Sequence, residues 1–113
     1  MKHPRTPPHD YLVEKLKRMI SSMAEALTCR QTPKSRKCIE IALYDAAKLL
    51  KFELEQVTGR KFDSLHERIA REVVEQAKSG PKETGLLCVA ADQYLHDTVV
   101  ACLREEPFPP GKP

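Results

Sequence analysis

Apolar residues in this chain recur at three- and four-residue steps through its whole body, the spacing that lines one face of an α-helix. Leu12, Leu16, Met19, Ile20, Met23, Ala26 and Leu27 form a first stripe, opposed by Glu14, Arg18, Ser21, Ser22 and Glu25. The pattern predicts a helix over about 9–30 with Asp10 as its N-cap. Ile39, Leu43, Ala46, Leu50, Leu54 and Val57 form a second stripe over 33–58. Thr32-Pro33 opens it as a cap followed by proline at the first helical position, and Gly59 closes it. A third helix, 65–79, carries only Leu65, Ile69, Val73 and Ala77 on its apolar side. Ser64 followed three residues on by Glu67 gives it a capping-box signature. Arg68, Arg71, Glu72 and Glu75 surround the rest, so it should be the most exposed of the set. A fourth helix, 84–104, shows Leu87, Ala91, Tyr94, Leu95, Thr98, Ala101 and Cys102 on one face.

Proline placement supports the same division. Seven of nine prolines lie in the first eight and last seven residues, and only Pro33 and Pro81 interrupt the body. Because proline breaks a helix interior, the three proline-free stretches are open to helix, and no alternating strand pattern competes. The expected fold is all-α: an antiparallel four-helix bundle or two stacked helical hairpins. A single domain over 9–106 is expected between a disordered arm, 1–8, and a Pro-rich disordered tail, 107–113. At 113 residues there is no room for a second core.

Two helices carry more apolar surface than one core needs. Ile41, Tyr44 and Phe52 lie off the main stripe of helix 2, and Val89, Val100 and Leu103 lie off that of helix 4. Leaving such side chains wet forfeits roughly 1.5–3 kcal/mol each. These six residues are therefore the candidate interface, with a second copy of the chain or another protein as the partner.

Charge adds a second candidate. Residues 1–62 hold thirteen Lys and Arg against seven Asp and Glu, whereas 63–113 hold six against nine. Arg30, Lys34, Arg36 and Lys37, with Arg60 and Lys61 in a later loop, form a basic group suited to phosphate contacts. Helix 2 is too long and too apolar outside for a groove-reading helix, and aromatic residues for stacking are few. Nucleic-acid regulation is accordingly the alternative reading. The acidic, proline-rich segment Glu105–Pro110 is a further docking candidate, weaker than an ordinary chain end.

Chemistry is sparse. Cys88, Asp92 and His96 step by four along helix 4, but one helix cannot complete a metal site, and His66-Glu67 is the only convenient supplement. Cys29 and Cys38 flank the first inter-helix turn near several cations, which would favour a reactive thiolate at Cys29. No Cys-x-x-Cys, nucleophile elbow, phosphate loop or His-Glu-x-x-His occurs. The longest uncharged apolar stretch, Thr84–Ala91, is far below the roughly twenty residues of a membrane span. The N-terminus lacks the apolar segment of a signal peptide, so a cytoplasmic address with free thiols is expected. The reading is a non-catalytic helical interaction module, an adaptor or regulator, homodimeric through helices 2 and 4, with no cofactor.

Overall fold

A computed structural model describes residues 7–29, 32–79 and 89–105, with side chains over 11–29, 32–77 and 91–105. Four helices follow in order, α1 Pro7–Leu27, α2 Pro33–Thr58, α3 Leu65–Ser79 and α4 Val89–Arg104, and no strand occurs among the described residues. Every helix touches the other three, with the heaviest packing between consecutive ones. Of the expected arm 1–8, Pro7 and Pro8 belong to α1 and residues 1–6 lie outside the described residues, as do the tail 107–113, Arg30 and the expected first turn of helix 4, Thr84 to Cys88.

Local signals set α2 firmly. The Thr32 hydroxyl accepts a hydrogen bond from the Ser35 backbone N–H at 3.1 Å, with Pro33 at the first helical position. At the other end Gly59 sits at φ 73°, in the left-handed region, and donates its N–H to the Glu55 carbonyl at 2.8 Å. A residue with a Cβ would be strained there.

The ends of α1 differ from the expected ones. It starts at Pro7, so Asp10 falls within the helix and is not its cap. Proline is tolerated in a first turn because its missing N–H would have no partner there. The helix ends at Leu27, where Thr28 and Cys29 donate to Glu25 and Ala26 in three-residue steps. Its buried stripe is Val13, Leu16, Ile20, Ala24 and Leu27. Leu12 and Met19, assigned to the core from periodicity, are 42% and 40% exposed. The stripe on this helix is wide, and the packing partners turn it toward Val13 and Ala24.

The core joins that stripe to Leu43, Ala46, Ala47, Leu50 and Leu54 of α2, Leu65, Ile69, Ala70, Val73 and Ala77 of α3, and Ala91, Tyr94, Leu95, Val99 and Cys102 of α4. Contrary to expectation, α3 is well covered: even Glu72 is buried. The exposed helix is α2, whose five buried side chains leave most of its 26 residues outside the core. The Ser64 and Glu67 side chains make no capping hydrogen bonds among the described residues. The entry to α3 is set instead by the Phe62 N–H, which donates to the Glu55 carboxylate at 2.8 Å. Lys51 stands 3.4 Å from the same carboxylate, which is nearly buried.

Two outcomes follow from this packing. Leu50→Ala should lower stability by about 2–5 kcal/mol, whereas Lys34→Ala, exposed at the start of the same helix and outside the core, should change it by less than about 0.5 kcal/mol in urea titrations. Glu55 is held below its ordinary carboxylate pKa of 4.5, first by the Phe62 N–H and then by Lys51 and Lys61, with burial opposing. A depressed folded pKa stabilises above the unfolded value and is lost as pH falls through the folded one. Glu55→Gln should thus be less stable than wild type at neutral pH, with the difference shrinking once the pH falls below 4.5 and vanishing below the folded pKa.

Candidate interaction surface

The outward side of α2 carries three of the large apolar side chains exposed among the described residues, the others being Tyr11, Leu12 and Met19 of α1. Ile41, Leu49 and Phe52 are 53%, 55% and 47% exposed, although the inner side of the same helix is sealed. Ile41 and Phe52 stand eleven residues apart, close to three helical turns, so they lie on one line along the helix. Asp45 and Lys48, both exposed, lie between them and flank that line on either side. The Lys51 ammonium lies 4.6 Å from the Phe52 ring centroid, so a cation covers one side of the ring.

Leu49 belongs to this surface and was absent from the expected interface. The signal was available: Leu50 continues the steps Leu43, Ala46, Leu50, Leu54, and its immediate neighbour must then turn about 100° away. Tyr44 is divided from Ile41 and Phe52. It packs against the core, and its ring meets His66 edge-on, with centroids 5.2 Å apart and planes at 75°.

The helix 4 candidates sit differently. Leu103 packs against the core, and Val100 is half-buried. Both line a recess of about 480 Å³ at the end of α2 that includes Val57, Arg60 and Arg104. The Val89 side chain lies outside the described residues.

A second apolar feature is an open groove of about 560 Å³ between α1 and α2, lined by Met19, Met23, Ala26, Ile39, Ala42 and Cys38, with Lys15 and Arg18 on its rim. Unbranched methionines make such a lining adaptable.

The basic residues do not form one patch. Lys34 and Lys37 stand at the start of α2 and Arg60-Lys61 beyond its end, and a 26-residue helix is about 39 Å long. Arg36 donates to the Leu27 carbonyl at 3.4 Å, holding the α1–α2 turn. Arg60 donates to the Cys102 carbonyl at 2.5 Å and lies 5.1 Å from the Phe62 ring centroid, tying the α2–α3 loop to α4. Lys34, Lys37 and Lys61 are exposed.

Asp92 and His96 face α1. Ser21 donates its hydroxyl proton to Asp92 at 2.6 Å, and the Lys17 ammonium approaches His96 Nδ1 to 3.4 Å. An ammonium beside the imidazole opposes a metal cation, and no group of three or more metal-ligating residues occurs among the described residues. Cys88 lies outside them.

The remaining cysteines are free thiols, Cys29 and Cys38 exposed and Cys102 buried. Burial pushes the Cys102 thiol up to about 11, against the pull of Arg60. It therefore stays protonated at neutral pH and is a poor nucleophile. In a Cys88→Ser background, a thiol reagent at pH 8 should label two sites per native chain, Cys29 and Cys38, and reach Cys102 only after unfolding. Native labelling of Cys102 at a comparable rate would contradict the burial.

No protein-family model, curated protein or solved structure matches this chain. No described helix is long and apolar enough to cross a membrane.

Proposed function

We propose that this chain is a non-catalytic α-helical interaction module, an adaptor or regulator, that self-associates through the outer face of α2. The observation that carries this reading is the exposed row of Ile41, Leu49 and Phe52 on a helix whose opposite side is fully sealed. Scattered exposed apolar residues are ordinary on protein surfaces, but three on one side of one helix are a contact waiting for cover. Helix 4 contributes less than α2 to that contact, because Leu103 is occupied by the core and Val100 is already half sheltered.

In this reading the helices run as an antiparallel bundle. Two cross-links between α1 and α4 support it: Lys17 meets His96 and Ser21 meets Asp92, so partners descend along α4 as residues ascend along α1. The module works in a reducing, cytoplasmic setting, in keeping with the free thiols of Cys29, Cys38 and Cys102. The α1–α2 groove is a second apolar surface open to a protein partner.

Sedimentation equilibrium of the purified chain tests the proposal. Wild type should self-associate, with little response to salt, and Phe52→Asp should shift it to a folded monomer with an unchanged helical spectrum. Loss of the fold in Phe52→Asp would place that ring in the core and remove the argument. A wild type that stays monomeric yet binds random duplex with steep salt dependence would favour the nucleic-acid alternative.

A further inference from the structure

We infer that the groove between α1 and α2 receives an amphipathic helix of a partner protein, apolar on one face and acidic on the flank that lies along α1. The inference rests on the reading of the chain as an interaction module and gives its second surface a partner of defined chemistry. It does not require self-association through α2.

Length and lining favour a helix. α1 borders the groove from Lys15 to Ala26, about 16 Å or three helical turns. Three turns of a partner helix carry apolar anchors at i, i+3 or i+4, and i+7. Met23 and Ile39 pack against the core and form the floor, while Met19, 40% exposed, and Ala42 stand at the sides. Methionine changes shape at low cost, so this lining can mould to aliphatic anchors. The groove holds about 560 Å³ and is open to solvent. A single acyl chain laid in it would keep one side wet, whereas a helix would close it from above.

Charge selects the kind of helix. Lys15 and Arg18 are the only charged side chains that line the groove, and no carboxylate does. They stand three residues apart on α1 and so lie side by side on its surface. Both are exposed, and neither forms an ion pair or side-chain hydrogen bond with another described residue. Lys15 lies against the Tyr11 ring, 5.9 Å from ammonium to centroid, a contact that leaves its charge uncompensated. Glu14 and Glu25 border the recess on the α4 side of Arg18, and Glu14 is already paired with Lys17 at 3.3 Å. Across the groove Asp45 stands one turn past Ala42 on α2, outside the lining. An acidic flank is therefore drawn to α1 and repelled from α2, which orients the incoming helix, and a basic flank is rejected by two uncompensated cations.

The test uses the full chain and two fluorescent model helices, each about 15 residues long with the same leucine face, one carrying glutamates and the other lysines along one flank. By fluorescence anisotropy at low salt, wild type should bind the glutamate helix about tenfold or more tightly than the lysine helix. The double variant Lys15→Glu, Arg18→Glu changes two exposed sites, so it should keep the wild-type helical spectrum while reversing that preference. Saturating glutamate helix should slow alkylation of Cys38, which lines the groove, about fivefold or more, and leave Cys29, which does not, unchanged when each cysteine is followed by mass spectrometry. Failure of both helices to bind at about 1 mM, equal binding of the two, or a preference that survives charge reversal would each overturn the inference. So would dodecanoate protecting Cys38 where neither helix does, since the occupant would then be an acyl chain. A wild type that is monomeric yet binds the glutamate helix and protects Cys38 removes self-association and keeps this inference; a wild type that dimerises but binds neither helix does the reverse.

Discussion

The structure depends on the sealing of one side of α2. Leu43, Ala46, Ala47, Leu50 and Leu54 are 3% exposed or less, enclosed chiefly by α1 and α3. Two adjacent alanines at the middle of that row let neighbouring helices approach closely, while the leucines on either side fill the space above and below. Burial of this kind fixes the rotation of α2 about its own axis. Once that rotation is set, the opposite side of the helix has no freedom left, and Ile41, Leu49 and Phe52 must face outward.

The functional reading follows from that constraint. A helix of 26 residues supports more surface than a core of this size can cover, and its ends are held by a threonine cap and a glycine stop. The loops beyond it are also secured: Arg36 grips the carbonyl of Leu27, and Arg60 reaches the carbonyl of Cys102. Two of the cations in the expected basic group thus serve as braces between helices. What is left exposed on α2 sets the apolar Ile41, Leu49 and Phe52 beside the charged Asp45 and Lys48.

The face between α1 and α4 has a different character. Ser21, Asp92, Lys17 and His96 join the two helices through polar contacts near the surface, where the net value of each pair is small. Such contacts orient helices more than they stabilise them. They also occupy Asp92 and place a cation beside His96, so a row that resembles a ligand set along one helix becomes a seam between two.

Helix number, the span of α2 and α3, the threonine cap and the glycine stop were all legible in the residue pattern, because they depend on interactions within a few positions along the chain. So were most buried positions of α2, where the apolar stripe is narrow. On α1 the stripe is broad, and periodicity alone could not choose between Leu12 with Met19 and Val13 with Ala24. That choice belongs to the neighbours that press on the helix. Likewise, Tyr44 lies about 80° round the helix from Phe52, at the edge of the buried stripe, and there it meets His66 of α3, while Phe52 points away from the core. Local sequence set where each helix starts, stops and could bury a face; the tertiary structure decided which face, since rotation about a helix axis is determined only by side chains distant in sequence.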